Sequence, residues 1–286
     1  MSAGPVRTLD QLLNGAAARL HEAGCLDSRT DARMLLAAAL GCDTAGLISR
    51  LRDVADAAEA ERFEAFIGER MSGKPVHRIL GRREFFGREF VLNEAALEPR
   101  PDTELLVETV LADWRGQKGE ISFCEVGTGS GAVCVTLLCE IANAIATGTD
   151  ISARALECTK ANADRLLTSG RLELVETDCL EEVSGPFNFI VSNPPYIPSG
   201  DIAGLDREVR EHDPLIALDG GEDGLDFYRK LLSQAQSRLV PGGRVYLETG
   251  HDQHAGIERI AAAGGWNLVS ALNDLAGLPR TMVFSI

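Results

Sequence analysis

The chain has 286 residues, of which 45% are apolar and 25% charged, a balance that fits one or two globular domains and excludes a disordered or fibrous chain. No apolar run approaches the roughly 18 residues that span a bilayer, and the first ten residues lack a signal-peptide pattern. We therefore expect a cytoplasmic protein without a membrane segment. The net charge of −15 counts against binding of DNA or RNA, because such binding normally needs a basic surface.

The cysteines and histidines show no pattern of a metal site. None of the seven cysteines forms a CxxC pair, and their odd number does not suit a disulfide framework. The five histidines share no spacing that is typical of a ligand set. We expect reduced cysteines and no bound metal.

The first 75 residues predict helices only. A capping box at Thr8–Gln11 precedes a helix whose apolar face continues to Leu20, and two further helices are expected over Asp31–Leu40 and Asp56–Arg70. Glycine-containing joints between them indicate a small bundle. Such a bundle serves either packing and oligomerisation or the recognition of a partner, and the residues leave both interpretations open.

Beyond residue 75 the pattern changes to strands and then to an alternation of strands and helices. We expect Val76–Leu80 and Glu84–Leu92 to pair as a hairpin around Gly81–Arg83. The alternation from about Glu94 predicts an α/β domain with a mostly parallel sheet, whose ligands bind beyond the C-terminal ends of the strands. The expected strands are Ile121–Val126, Ala144–Thr149, Leu172–Glu176, Phe187–Ser192, Arg244–Glu248, Leu268–Leu272 and Thr281–Ser285. The expected helices are Thr103–Asp113, Ala132–Ile141, Ala153–Leu167, Leu225–Leu239 and Gln253–Ala263.

A glycine-rich loop leaves the first strand of this domain and opens a helix. Glycine suits such a loop because the backbone turns sharply and approaches a ligand without side-chain collision. Asp150 ends the next strand, where a carboxylate can accept both hydroxyl groups of a ribose. This pair predicts an adenosine-type cofactor, although the spacing also fits a dinucleotide fingerprint or a tight turn without a ligand. The loop residues are Gly127, Thr128, Gly129, Ser130 and Gly131.

Two residues after the third strand are candidates for the adenine site. Asp178 is placed to accept a hydrogen bond from the adenine amino group, and Cys179 to lie against the base. A helix-capping aspartate beside a small core cysteine fits the spacing equally well.

An Asn-Pro-Pro-Tyr loop follows the fourth strand. The two prolines exclude a continuing central strand, and the loop offers two acceptors, the Asn193 side-chain oxygen and the Pro194 carbonyl, beside the aromatic ring of Tyr196. A planar NH2 group packed on Tyr196 can donate one hydrogen to each acceptor, which aims its nitrogen at an electrophile. This pattern favours methyl transfer to an amide or exocyclic nitrogen by positioning and electrostatics. S-adenosylmethionine is therefore preferred over NAD.

At these residues the chain resembles the HemK/PrmC family of class I methyltransferases, which modify the glutamine of a Gly-Gly-Gln motif in peptide chain release factors. The resemblance covers nearly all of residues 74–286 and, more loosely, the helical segment before them. Besides the two loops it rests on Gly81–Phe90, Pro99–Glu104, Asp150–Ser152, Gly220–Arg229, Pro241–Gly243 and Asp274–Gly277.

The resemblance implies a fold, a domain organisation and a set of site residues. The fold is a Rossmann-like, seven-stranded, mostly parallel sheet with a small helical N-terminal domain and a hairpin linker. The domains are a helical substrate-recognition domain (residues 1–73), the linker (74–93) and the S-adenosylmethionine-dependent methyltransferase domain (94–286). The implied cofactor contacts are Gly127–Gly131, Asp150, Asp178, Cys179 and Asn193, and the implied glutamine-binding residues are Asn193, Pro194, Pro195 and Tyr196. The Arg100–Glu104 segment is expected to border the methionine end of the cofactor.

The chain departs from the family pattern at four positions: Glu125 stands for Asp, Cys179 for a large aromatic or apolar residue, Glu98 for an apolar one and Thr249 for Ile. These changes bear on cofactor affinity and pose but remove no acceptor. We expect a monomer that methylates release factors, with S-adenosylhomocysteine as product. The alternatives are an N-methyltransferase acting on a nucleic-acid base or on a ribosomal-protein glutamine, and a cofactor-binding regulator without turnover.

Overall fold

The computed structural model describes residues 7–167 and 170–286. The chain divides after Gly81 into two compact units. The helices described in the first unit are α1 (Leu9–Glu22), α2 (Ser28–Ala39), α3 (Thr44–Arg50), α4 (Ala57–Met71) and α5 (Val76–Leu80).

The helical unit contains the three helices that the apolar spacing predicts and two additional short ones, α3 and α5. The capping box is confirmed, because the Gln11 amide donates to the Thr8 hydroxyl at 3.3 Å while the Thr8 amide donates to the Gln11 side chain at 3.0 Å. A buried ion pair joins α4 to α2, where Arg70 Nε lies 2.7 Å from Asp31 Oδ2. The unpredicted helix α3 has only seven residues and buries only Leu47, too little periodicity to identify it in the sequence.

The prediction of a strand over Val76–Leu80 is wrong. This segment is helical because Pro75 starts it at φ −60° and Gly81 ends it in the left-handed region at φ 64°. Val76, Ile79 and Leu80 all pack on the helical core, which is helical spacing rather than strand alternation. The predicted hairpin exists farther along the chain, as β1 (Arg82–Phe85) and β2 (Arg88–Val91) in the second unit.

The second unit continues with helices on both faces of one sheet. The helices are α6 (Glu104–Trp114), α7 (Ala132–Glu140), α8 (Ala153–Leu166), α9 (Arg207–His212), α10 (Asp226–Ala235) and α11 (His254–Ala263). The strands are β3 (Ile121–Val126), β4 (Ala144–Asp150), β5 (Leu172–Glu176), β6 (Phe187–Ser192), β7 (Leu239–Glu248), β8 (Asn267–Asn273) and β9 (Pro279–Ser285). All seven predicted strands and all five predicted helices of this unit are confirmed, with ends shifted by a few residues, whereas α9 was not predicted.

The sheet has seven strands in the order β5-β4-β3-β6-β7-β9-β8. The strands from β5 to β7 are parallel, and β9 is antiparallel to both of its neighbours. The predicted mostly parallel sheet is therefore confirmed. The chain order reverses between β3 and β6, and ligands of open α/β sheets bind at such a reversal. The glycine-rich loop follows β3 and the Asn-Pro-Pro-Tyr loop follows β6, so both leave the sheet at this point.

In the described part of the chain, no helix taken singly has the length and apolar composition to cross a membrane. Joined across their 85° bend, α2 and α3 meet the criterion by length and composition alone.

Candidate active site

A cavity of about 260 Å³ opens at the C-terminal edge of β3, β4 and β6. It brings together most of the predicted site residues, namely Gly127, Thr128, Gly129, Ser130, Asp150, Asp178, Cys179, Asn193 and Pro195. Three predicted residues are not in its lining. Gly131 is the N-terminal cap of α7, Pro194 is buried, and Tyr196 packs against the core between the sheet and α10.

The glycine-rich loop is shaped by positive φ angles and by one close approach. Gly127, Gly129 and Gly131 have φ angles of 76°, 57° and 77°, which side chains other than glycine rarely adopt. A Cβ on Gly131 would also lie 2.8 Å from the Thr159 methyl group on α8. These glycines therefore allow a backbone conformation in which the start of α7 packs closely against α8.

Asp150 connects this loop to the end of β4. Its Oδ2 accepts from the Gly129 amide and its Oδ1 from the Ser152 amide, each at 2.9 Å. Burial raises the pKa of Asp150, while these backbone hydrogen bonds oppose the increase. Because a carboxylate oxygen can accept two hydrogen bonds, each oxygen retains capacity for a ligand hydroxyl.

Glu125 supports the glycine-rich loop from the interior of the domain. It is buried, and its Oε2 accepts from the Thr128 hydroxyl at 2.8 Å and from the Cys134 amide at 2.9 Å. Burial raises the pKa of Glu125 to about 8, although both hydrogen bonds act in the opposite direction. Glu125, which stands where the family pattern has the shorter Asp, thus stabilises both the loop and the first turn of α7.

The raised pKa of Glu125 predicts a pH-dependent stability. The folded chain retains a proton that the unfolded chain releases between pH 4.5 and about 8, so the free energy of unfolding falls as pH rises across that window. Glu248, with a pKa raised to about 7, adds to this slope below neutrality. In Glu125→Gln we expect the slope between about pH 7 and 8 to decrease by up to about 1.4 kcal/mol per pH unit.

Chemical denaturation across this pH range measures the effect. The exposed Glu120, just before β3, supplies the control variant Glu120→Gln, which should retain the wild-type slope. A Glu125→Gln variant with the wild-type slope would contradict the assignment.

At the predicted adenine site, Asp178 and Cys179 are both held by neighbouring side chains. Lys230 Nζ lies 2.7 Å from Asp178 Oδ2. Cys179 has a φ of 61°, and its carbonyl accepts from the Thr149 hydroxyl at 3.1 Å. Burial raises the pKa of the Cys179 thiol to about 12. The thiol therefore stays protonated at neutral pH and contributes a small apolar surface to the cavity.

The side-chain amide of Asn193 is held by its nitrogen. Asn193 Nδ2 donates to the buried Thr103 hydroxyl at 3.1 Å. Within residues 7–167 and 170–286, no donor contacts Asn193 Oδ1 or the Pro194 carbonyl. The oxygen is thus the free hydrogen-bonding atom of a side chain that lines the cavity.

The rest of the Asn-Pro-Pro-Tyr loop is fixed by the segment before α10 and by α11. Gln253 Nε2 donates to the Tyr196 carbonyl at 2.7 Å. A Cβ on Gly220 would lie 2.9 Å from the Pro195 carbonyl, and one on Gly224 would lie 2.4 Å from the Tyr196 carbonyl. The glycines of the 220–224 segment therefore allow it to pack directly on the loop, a role that the sequence did not reveal.

Arg100 and Thr103 of the Arg100–Glu104 segment line the cavity, as does Glu98 just before it. Glu98 pairs with Arg83, and Arg100 Nη2 lies 2.5 Å from Asp213 Oδ2, so both charged lining residues are paired. Ile216 and Phe227 add an apolar wall from the segment beyond β6. No sequence signal marked these apolar residues. No group of three or more His, Cys, Asp or Glu suited to a metal ion occurs in the described residues.

Two family models match the chain: the PrmC N-terminal domain over residues 11–81 and the methyltransferase small domain over residues 98–204. A release factor glutamine methyltransferase of Bradyrhizobium diazoefficiens is 46% identical over 269 residues, covering 93% of this chain and 91% of that protein. One of Agrobacterium fabrum is 42% identical over 287 residues, covering 99% of each. The solved structure of SMU.776 in complex with SAH is 12% identical with a TM-score of 0.51, covering 72% of this chain and 56% of that one. This last likeness shows a shared fold.

Proposed function

This chain belongs to the release factor glutamine methyltransferase family, and we propose that it transfers a methyl group from S-adenosyl-L-methionine to the side-chain amide nitrogen of the glutamine in the Gly-Gly-Gln motif of release factors. The resemblance to the HemK/PrmC family and the class I methyltransferase fold are confirmed. The observation that carries the proposed chemistry is the amide of Asn193, anchored through its nitrogen, with its oxygen free at the cavity.

The cavity suits an adenosyl cofactor by the groups that line it. The Asp150 carboxylate, with acceptor capacity left on both oxygens, fits the two ribose hydroxyls. The glycine-rich loop lets the ligand lie against the backbone, and the half-exposed Ile151 offers an apolar surface beside Asp150. When bound, S-adenosylmethionine supplies an electrophilic methyl group on a sulfonium sulfur and leaves as S-adenosylhomocysteine.

The residues of the chain act by orienting the nitrogen of the glutamine. A carboxamide nitrogen is a poor nucleophile because its lone pair is delocalised into the carbonyl group. Asn193 Oδ1 and the Pro194 carbonyl accept the two N–H hydrogens, raise the electron density on nitrogen and fix its direction. Tyr196 packs against the core between the sheet and α10, and its carbonyl accepts from Gln253 Nε2, which fixes the end of this loop. The methylated nitrogen then releases a proton to solvent, so no strong base is needed beforehand.

Mass spectrometry of a release factor incubated with the full chain and methyl-labelled cofactor tests the proposal. We expect one labelled methyl group on the Gly-Gly-Gln peptide and none on a release factor whose motif glutamine is replaced by asparagine. Parallel incubations with ribosomal protein, RNA and DNA test the alternative substrates. Label in any of these, with an unmodified Gly-Gly-Gln peptide, would overturn the proposal.

A further inference from the structure

Glu248 is a buried carboxyl group beside the proposed glutamine site. It ends β7, and the adjacent strand β6 pairs with β7 in parallel with Ser192 opposite Leu247. Asn193 directly follows Ser192 at the end of β6, and Glu248 directly follows Leu247 as the last residue of β7. Glu248 is 1% exposed, and its Oε2 has no hydrogen-bond partner in the described chain.

Thr103 contacts the amide of Asn193 and also affects the pKa of this carboxyl group. The Thr103 hydroxyl accepts from Asn193 Nδ2 at 3.1 Å. Burial raises the pKa of Glu248 to about 7, and hydrogen bonding by the side chains of Thr103 and Asn193 opposes the increase. The register of β6 and β7 places this carboxyl group, whose charge changes near neutral pH, beside Asn193, and its Oε2 is available to accept from the Thr103 hydroxyl.

The other charged and titratable groups that face Glu248 come from four elements. Arg280 on β9 attracts the carboxylate and lowers its pKa, whereas Asp102, in the turn before α6, raises it. Arg280 Nη2 lies 3.3 Å from both Asp102 Oδ2 and Asp274 Oδ2, so its charge is shared between two carboxylates. Burial raises the pKa values of Tyr196 and Tyr228, which keeps both phenols neutral at physiological pH. The Tyr228 hydroxyl donates to the Glu248 carbonyl at 2.9 Å, not to the carboxyl group.

We propose that Glu248 is a positioning residue that, through Thr103, holds the amide of Asn193 with its oxygen toward the substrate; this inference rests on the proposed function. An ionised carboxylate can only accept hydrogen bonds, so the Thr103 hydroxyl donates to Glu248 and accepts from Asn193 Nδ2. Both hydrogen-bond directions are then fixed, and Oδ1 is left for the substrate NH2 group.

Protonation of Glu248 removes the fixed direction of these two hydrogen bonds. A neutral carboxyl group can donate to Thr103, whose hydroxyl is then free to donate to Asn193 Oδ1. A half-turn of the amide would place its NH2 group at the cavity, where it faces the NH2 group of the substrate and cannot accept from it. Turnover is therefore expected to fall as pH decreases through about 7.

The first test compares kcat against pH, at saturating cofactor and release factor, in variants of these residues. We expect the wild-type chain to lose activity on the acid side of about pH 7. In Glu248→Gln this dependence should vanish, with kcat about tenfold lower above neutrality and close to wild type at about pH 6. Thr103→Val should lose kcat at every pH, whereas Thr103→Ser retains the hydroxyl and should restore the wild-type profile.

Thr281→Val is the matched control for packing. Thr281 lies opposite Glu248 on β9, is fully buried, and its hydroxyl has no partner in the described residues. This variant should retain both the wild-type kcat and its pH profile. The cofactor Kd, measured by calorimetry, should be unchanged in the Glu248 and Thr103 variants. The proposal would be overturned if kcat of Glu248→Gln still fell below about pH 7, or if Thr103→Ser lost as much kcat as Thr103→Val.

A second measurement separates this inference from the proposed function. With 15N-asparagine labelling, the side-chain NH2 signals of Asn193 should shift with a midpoint near pH 7 in the wild-type chain and not in Glu248→Gln. This readout needs no substrate. If release factors remain unmethylated, the proposed function fails and the titration alone decides the contact between Glu248 and Asn193. An Asn193 signal that titrates equally in both chains would overturn the inference.

Discussion

Replacing Asn193 with alanine is expected to lower kcat by about 10²–10³-fold while leaving the cofactor Kd within about threefold of wild type, because one preorganised polar group at a reacting centre is worth this much. The alanine variant removes Oδ1, the acceptor that orients the substrate nitrogen. It also leaves the Thr103 hydroxyl without its donor. Single-turnover methyl transfer to a release factor measures the first quantity, and calorimetry the second.

The same strand supplies a matched control for this variant. Asn188 lies near the start of β6, where its Oδ1 accepts from the Ser122 amide at 2.8 Å. Asn188→Ala also removes an asparagine and one hydrogen bond from β6, but far from the cavity, so we expect a lower melting temperature with kcat unchanged. If Asn193→Ala lost cofactor affinity in proportion to turnover, Asn193 would be a cofactor-binding residue and the orienting role would be wrong.

The position of the site could be predicted from the sequence, because its residues lie at the C-terminal ends of strands. Parallel strands end at one edge of a sheet, so residues that follow different strands meet there despite their distance in sequence. Gly127 follows β3, Asp150 ends β4, and Asn193 follows β6, and the cavity lies among these three. These strands alternate with helical patterns along the sequence, and this alternation identifies them without knowledge of tertiary contacts.

The residues that support Asn193 were not predictable by the same argument. Thr103 lies 90 positions before Asn193 in the sequence, in a 3-10 turn whose placement depends on how α6 packs. Glu248 ends β7, and its closeness to Asn193 follows only once β7 is known to be the neighbour of β6. Strand order is a tertiary property, so an isolated glutamate after an apolar run carried no signal of its partners.

The error at Val76–Leu80 has a different origin. A five-residue segment with Val and Ile favours a strand by intrinsic preference, and such a short apolar run does not distinguish strand from helix. Packing of Val76, Ile79 and Leu80 on the helical core outweighed that preference. The same limit applies to Gly220 and Gly224, since a glycine that permits close packing on another loop has the same sequence pattern as one in a turn.

Replacing Asp150 with alanine is expected to weaken cofactor binding by about 10²–10⁴-fold, because two hydrogen bonds to a charged group are lost, each worth about 1.5–3 kcal/mol. The carboxylate also organises the loop, since it accepts from the Gly129 and Ser152 amides. Asp150→Asn retains one acceptor oxygen and should lose only about tenfold. Calorimetry with S-adenosylmethionine and with S-adenosylhomocysteine measures both variants.

Asp178→Ala provides the comparison that separates the role of Asp150 from a general effect of charge. The Asp178 side chain is 50% exposed and already pairs with Lys230, so its removal should cost less affinity than removal of the more buried Asp150. Both variants lose one negative charge at the same edge of the sheet. Equal losses of affinity would contradict the assignment of Asp150 to the ribose hydroxyls. An Asp150→Ala chain that binds the cofactor normally but fails to turn over would likewise contradict it, since the carboxylate would then act on the reacting groups.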